Sequence, residues 1–275
     1  METEKRPQDP DEVREMVKEG YARVAEKSSS CCCGPPPHAA ELSRKLGYTD
    51  EELQAVPEGA NLGVGCGNPT ALASLRPGEV VVDLGSGAGM DVFLAARQVG
   101  PAGRVIGVDM TDEMLEKARK HAEEGGFENV EFRKGQIEDL PLDSESADVI
   151  ISNCVINLSP EKDRVFREAY RVLRPGGRLM VSDLVLERPL PPEVLDNIEA
   201  YLGCVGGAAL RAKYLEMVEG AGFRDVKVIQ EGKFADAVCC DDPQVREAAE
   251  KFGVEMDQVR GLLKAVTSLH LHAVK

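Results

Sequence analysis

The sequence predicts an α/β fold with a mostly parallel seven-stranded sheet and helices on both faces. Three observations carry this. From residue 79 onward, short apolar runs rich in Val and Ile alternate with helical patterns of 10–15 residues. Glycine, proline or aspartate closes nearly every run. A glycine-rich turn, Gly85-Ser-Gly-Ala-Gly89, links the first run to the helix after it. The first strand spans 79–84 and is followed by Gly85-Ser-Gly-Ala-Gly89 and a helix to about Gln98. The second, 104–108, ends at Asp109, and Thr111 is placed to cap a helix over 112–124. Strands follow at 130–134 and 148–152. Ser159-Pro160 opens a helix to Leu173, and Arg174-Pro-Gly-Gly177 turns into a fifth strand over 178–183. Helical runs near 191–201 and 209–221, a strand near 225–230, two helices within 242–264 and a strand over 266–274 complete the pattern.

Ahead of the sheet, Asp9-Pro10 reads as an N-cap with proline at the first helical position, opening an amphipathic helix to about Lys27. Ser28–Ser30, three cysteines, Gly34 and Pro35–Pro37 suit a loop carrying thiols. Thr49 and Glu52 form a capping box for a short helix before Pro57. A glycine-rich loop with one thiol, Cys66, follows. Three segments result: 1–68, helices and Cys-bearing loops; 69–185, a ligand-binding domain; and 186–275, a capping segment with C-terminal helices and the last strand.

The chain has 275 residues, 33 Lys+Arg against 48 Asp+Glu and a formal charge of −15. That balance argues against nucleic-acid binding, which needs clustered cations. No apolar run reaches the ~18 residues of a membrane span, and the first twenty residues are acidic rather than signal-like. A cytoplasmic protein is expected, with no membrane partner, as a monomer rather than an oligomer. In a reducing compartment eight cysteines (31, 32, 33, 66, 154, 204, 239 and 240) are thiols that bind or react, not structural disulfides. Their spacing is not that of a zinc ribbon or finger, and no metal cofactor is expected.

Glycines 85, 87 and 89 let the backbone turn sharply and approach a ligand. A dinucleotide fingerprint needs Gly or Ala at position 90, where this chain has Met90. Asp109 suits two ribose hydroxyls. Alone, the motif leaves open a nicotinamide dinucleotide site or a plain turn. With its flanks it says more. Val81-Val-Asp-Leu-Gly-Ser-Gly-Ala-Gly89, Val105-Ile-Gly-Val-Asp109 and Gly135-Gln-Ile-Glu-Asp-Leu-Pro141 closely resemble the Rossmann-like class I methyltransferases that use S-adenosylmethionine, over residues 70–230. The resemblance implies Asp83, Gly85, Ser86 and Gly87 around the methionine end and ribose. It implies Asp109 and Met110 at the ribose and adenine, Ile137 and Glu138 beside the adenine, and Asn153 just beyond strand four. The D-P-P-Y motif of amino-methylating DNA enzymes is replaced by Asn153-Cys154-Val155-Ile156.

That replacement turns attention to the thiols. Strand four ends at the crevice, so Cys154 should face the methyl donor, while Cys66 and Cys204 lie on glycine-flanked loops. A lone cysteine is often a small buried hydrophobe; three around one crevice suggest a soft ligand. Trivalent arsenic takes three sulfurs in a pyramid and keeps a nucleophilic lone pair opposite them. Because thiols lose protons on ligation, binding is expected to strengthen as pH rises.

Gly65-Cys66-Gly67-Asn68-Pro69, Ser152-Asn-Cys154-Val-Ile-Asn-Leu158 and Gly203-Cys204-Val-Gly-Gly-Ala208 resemble the arsenite methyltransferases, prokaryotic branch. The resemblance implies arsenic(III) held by Cys66, Cys154 and Cys204, with Cys154 and Cys204 the core pair. It implies arsenite and methylarsenite as substrates, mono- and dimethylated products, and a role in arsenic detoxification. An upstream cysteine, Cys32 or Cys33 ahead of Cys31, is expected to form a disulfide with Cys66 while a thioredoxin- or glutathione-type reductant returns arsenic to the trivalent state. Val64 and Gly203 depart from the tyrosine and glutamate of eukaryotic members. Cys239 and Cys240 are open between arsenic capture and neutral surface positions. His121 on a charged helix, and His270 and His272 on one strand face, are expected to be exposed. A methyltransferase with an organic acceptor such as a quinol, and an arsenic-binding sensor without turnover, are the competing readings.

Overall fold

A computed structural model describes residues 5–27, 37–233 and 256–275. Cys31, Cys32, Cys33, Cys239 and Cys240 lie outside the described residues. Ahead of the sheet come helices α1 (Pro10–Lys27), α2 (Pro37–Lys45), α3 (Asp50–Ala55) and α4 (Pro69–Leu72). The sheet then builds as β1 (Val80–Leu84), α5 (Met90–Val99), β2 (Arg104–Asp109), α6 (Asp112–Gly125), β3 (Val130–Lys134), β4 (Ala147–Asn153), α7 (Lys162–Val172) and β5 (Leu173–Leu186). It ends with α8 (Pro192–Leu195), α9 (Ile198–Leu202), β6 (Ala209–Leu210), α10 (Arg211–Gly220), β7 (Arg224–Lys233), α11 (Met256–Leu263) and β8 (Val266–Val274). The strand order is 3-2-1-4-5-8-7, with β6 paired to β5. Strands one to five run parallel, and β8 is antiparallel to both neighbours. Chain order reverses between β1 and β4, which opens a crevice at their carboxyl ends.

Both sheet faces are buried. Val82, Ile106, Ile150 and Leu179 meet Val165, Phe166 and Tyr214 on one side. Val81, Val105, Val149 and Met180 meet Val92, Phe93 and Leu115 on the other. A third cluster lies under α1, where Val13, Val17 and Tyr21 pack with Cys66, Cys154, Leu158, Leu184, Tyr201 and Cys204. The first helix thus roofs the end of the sheet where the thiols converge.

Several local expectations change. The sheet has eight strands because the two-residue β6 adds to the seven expected. Thr111 occupies the N-cap of α6 without a side-chain capping bond; Asp109 Oδ1 accepts from the Thr111 amide at 2.9 Å instead. Arg174–Gly177 do not separate α7 from β5 but bulge within β5, where pairing jumps from Ala147↔Leu173 to Val149↔Arg178. The helical run near 191–201 breaks in two because Asn197 caps a new helix, accepting from Ala200 N at 2.8 Å. His121 and His270 are buried rather than exposed: His121 Nδ1 lies 3.1 Å from Ala88 O, and His270 Nδ1 lies 2.8 Å from Ser182 Oγ.

Candidate active site

The crevice is built on the turn after β1. Gly85 and Ser86 donate to Val108 O at 2.8 and 3.0 Å, which folds the loop back over β2. Gly85 has φ +66°, and a Cβ there would sit 2.3 Å from Val155 Cγ2, so the position has neither room nor conformation for a side chain. Gly87 has φ +51° with nothing within 4 Å of a Cβ, and its amide donates to Asp109 Oδ2 at 2.9 Å. Asp109 is thereby oriented in the crevice by the amides of Gly87 and Thr111, one on each carboxylate oxygen. The cleft beyond has about 1120 Å³ including its mouth. Asp83, Gly85, Ser86, Gly87, Asp109, Met110, Ile137, Glu138 and Asn153, the residues expected at the cofactor, all line it.

The cleft is electrostatically set for a cation. Burial raises the Asp83 carboxyl well above the usual range, and repulsion from Asp91 and Asp109 adds to it. Burial pushes Asp91 up to about 6 against bonds from Tyr48 and Asn153, and raises Asp109 against its backbone donors. Ser86 Oγ is buried without a partner. Three desolvated carboxylates and a spare hydroxyl fit S-adenosylmethionine, whose sulfonium and ammonium are cationic and whose sugar carries hydroxyls. They do not fit a pyrophosphate. Glu138 is more committed than expected, since its Oε1 accepts from Arg14 Nε (3.3 Å) and Ser159 Oγ (2.6 Å). Arg14 also pairs with Glu161, so α1 is latched over the cleft.

The structure brings the three separated cysteines together. Cys154 lies just past β4, its amide donating to Ser182 O at 2.8 Å. Its sulfur lies within 4.8 Å of that of Cys66, and both Cys66 and Cys204 act on it electrostatically. Cys204 Sγ donates to Cys154 O at 2.9 Å, and Cys66 Sγ to Ser182 O at 3.1 Å. Cys154 and Cys204 have φ +61° and +66°, the left-handed region that costs a side-chain-bearing residue about 1–2 kcal/mol. Both also line the cofactor cleft. All three thiols are buried and protonated. Burial pushes Cys66 up to about 11. For Cys154, the bond from Cys204 lowers its value, but contact with Cys66 and burial outweigh that; the bond to Cys154 and burial raise Cys204.

Asn153 was expected at the cofactor, but its hold on the Cys66 loop escaped the sequence reading, as did Tyr48, Asp91, Asp183 and Tyr21. Asn153 Oδ1 accepts from Cys66 N at 3.0 Å while Nδ2 faces Gly67 O (2.9 Å), Tyr48 Oη (3.0 Å) and Asp91 Oδ2 (3.1 Å), stitching the Cys66 loop to the cleft. Tyr48 in turn donates to Asp91 Oδ1 at 2.7 Å. An acid two residues past Gly89 was the available signal for Asp91. Asp183, fully buried on β5, accepts from Tyr214 Oη at 2.9 Å and from Leu184 N at 3.1 Å. Asp183 at the exit of an apolar strand beside the cysteine-bearing one was likewise readable. Tyr21, which reaches in from α1 to donate to Leu202 O at 3.3 Å and faces the Cys204 sulfur, had no signal beyond helical spacing.

Residues 75–222 match a family described as a methyltransferase domain, and the sheet order and cleft define the class I form of that fold. Its relatives narrow this. The chain is 48% identical over 232 residues to an arsenite methyltransferase of Halobacterium salinarum, covering 80% of this chain and 59% of that one. It is 41% identical over 226 residues to one from Aquipseudomonas alcaligenes, covering 80% and 64%. In both cases the chain spans less than two thirds of the relative's length. Among solved structures it resembles an arsenic(III) S-adenosylmethionine methyltransferase from Chlamydomonas reinhardtii, 32% identical, with a TM-score of 0.63, covering 88% of this chain and 75% of that one. The chain belongs to the arsenite methyltransferase family.

Proposed function

We propose that this protein methylates arsenic(III) held by Cys66, Cys154 and Cys204, forming mono- and dimethylated arsenicals in arsenic detoxification. The observation that carries the reading is the convergence of three buried thiols on Cys154, beside a cleft lined with carboxylates. S-adenosylmethionine supplies an electrophilic methyl on a sulfonium. Asp109 is oriented to hold its ribose, while Asp83 and Asp91 balance cationic charge. Arg14 and Glu138 fasten α1 across the cleft and exclude water. The thiols then have one task, to hold arsenic as a three-sulfur pyramid with its lone pair directed into the cleft. Alignment does most of the catalytic work, since the lone pair needs no base.

The protonated thiols change the expected pH dependence. Arsenite is neutral As(OH)3 near neutral pH. Each As–S bond replaces an As–O bond, and the thiol proton leaves with hydroxide as water. No net proton is released, so arsenite binding should be nearly independent of pH across neutrality rather than strengthening with it. Transfer breaks the methyl–sulfonium bond and forms an As–C bond with the lone pair, which raises arsenic by two oxidation units. Two thiols that become a disulfide return the electrons. In this reading Cys66 pairs with Cys32 or Cys33, and a thioredoxin- or glutathione-type reductant reopens the bond. Residues 1–68 supply the roof and the resolving thiol, 69–185 the cofactor site, and 186–275 Cys204 and the substrate cap. No described helix is long and apolar enough to cross a membrane; the chain is read as a cytoplasmic monomer.

Product speciation tests this. Purified protein is incubated with S-adenosylmethionine, arsenite and a thiol reductant, and the arsenic species are separated beside Cys154→Ser. Methylated arsenic from the parent and none from the variant is expected. Cofactor binding without arsenic methylation overturns the proposal in favour of an organic acceptor, and arsenite binding without turnover in favour of a sensor.

A further inference from the structure

Arsenic chemistry leaves one buried group beside the thiols unused. The carboxylate of Asp183 and the sulfurs of Cys66 and Cys154 lie within 4.8 Å of one another, all three residues buried. Asp183 makes no ion pair among the described residues, although it is completely shielded from solvent. Lys162 lies close enough to act on it electrostatically, but its Nζ donates to Asn157 O and Ser159 O. We propose that Cys66, Cys154 and Asp183 form a mixed sulfur–oxygen site for a soft divalent cation of the zinc or cadmium type, which competes with arsenite for the two shared thiols.

The donor set fits such an ion. Two thiolates and a carboxylate are ordinary ligands of a tetrahedral d10 cation, and metal–sulfur and metal–oxygen bonds of about 2.3 and 2.1 Å place neighbouring ligands about 3.5–3.8 Å apart. Closing from 4.8 Å takes about 1 Å, within reach of modest side-chain rotation. Asp183 is pre-oriented: Tyr214 Oη and Leu184 N each bond a different oxygen, and the Cys154 thiol also bonds the carboxylate through a proton that a bound cation would replace. Arsenic(III) has no comparable use for the carboxylate, because it is thiophilic and fills its pyramid with the sulfur of Cys204. The same pocket therefore holds two overlapping ligand sets that share Cys66 and Cys154. A divalent cation carries no lone pair for the methyl group, so its complex is a dead end. The proton balance also differs. A divalent ion displaces at least the two thiol protons to solvent, whereas arsenite carries them off as water.

The proposal rests on the thiol cluster described above but not on methyl transfer. The test uses the reduced full chain with Cys31, Cys32, Cys33, Cys239 and Cys240 replaced by serine, so that the three clustered thiols remain. Cadmium ion is the probe, followed by its thiolate charge-transfer absorption and by equilibrium dialysis at several pH values, with arsenite as competitor. One cadmium per chain is expected, displaced by arsenite and bound more tightly as pH rises. Asp183→Asn should weaken cadmium at least tenfold and arsenite less than threefold. Cys204→Ser should do the reverse. Unchanged cadmium affinity in folded Asp183→Asn, or equal losses of cadmium and arsenite in Cys204→Ser, overturns the proposal. Should Asp183→Asn fail to fold, Cys66→Ser decides: cadmium held as tightly as by the parent overturns it, and at least tenfold weaker binding supports it. Cadmium binding by a chain that binds no arsenite supports the cation site and refutes the proposed function instead.

Discussion

Replacing Gly85 and Gly87 by alanine, one at a time, separates folding from ligand binding in the loop after β1. Both glycines have left-handed φ, so alanine costs each about 1–2 kcal/mol in conformation alone. At Gly85 the new methyl would also lie 2.3 Å from Val155 Cγ2 and 2.6 Å from its Cβ. Such overpacking adds about 1–3 kcal/mol, for a total of about 2–5 kcal/mol. With roughly 2–4 °C of melting temperature per kcal/mol in a domain of this size, Gly85→Ala should lower Tm by about 4–20 °C. Gly87→Ala meets nothing within 4 Å and should cost only about 2–8 °C. The order reverses for ligand binding if the open space beside Gly87 is where S-adenosylmethionine approaches. Gly87→Ala should then weaken S-adenosylmethionine at least tenfold by calorimetry while remaining folded at 25 °C. An affinity within threefold of the parent would show that the ligand does not approach Gly87, and the assignment of the cofactor loop would fail.

Burial holds the carboxyls of Asp91 and Asp183 up to about 6 and about 7 in the folded chain, against about 3.9 when unfolded. Because the folded state then binds more protons, the ligand-free protein should lose stability as pH rises from about 4 to about 7. The slope is up to about 1.4 kcal/mol per pH unit for each group, and urea midpoints at pH 5 and 7.5 should differ accordingly. Asp91→Asn should flatten the part of that slope below pH 6; an unchanged profile would refute the assignment. Tyr48→Phe removes the 2.7 Å donor to Asp91 Oδ1, so it should destabilise by about 1–3 kcal/mol by thermal melting and move the Asp91 transition to higher pH. Arg14→Ala leaves buried Glu138 with only its Ser159 bond to that oxygen. It should cost about 1–3 kcal/mol and make α1 the first site of limited proteolysis.

The sequence made the sheet legible because parallel strands are continuous apolar runs and their exits carry glycine or aspartate. Val80–Leu84 and Arg104–Asp109 fall where that pattern puts them. It misjudged elements decided by a single long-range or local bond. Arg174–Gly177 has the composition of a turn, yet pairing on both sides holds it within β5. Asn197 looked like an interior helical residue, and its side-chain bond to Ala200 N starts a new helix instead. His270 sits on a strand whose alternation gave no hint of Ser182 beneath it.

At the site, chemistry was readable one residue at a time, whereas connection was not. Cys66, Cys154 and Cys204 each announce a thiol on a loop, and no local rule states that positions 66 and 204 meet at 154. The topology does that: β4 and β5 are neighbours, so residues following β4 lie beside Ser182 and Asp183, and Cys66 bonds to the same Ser182 carbonyl that receives the Cys154 amide. The left-handed backbone at Cys154 and Cys204 follows from this crowding. Two side chains must turn toward one point from separate segments, and each pays in φ what a glycine would spare. Glycine at either position would relax the backbone but remove the sulfur. Strain retained at both of these thiols supports the proposed sulfur ligation, because a core filled merely for packing would have no use for it.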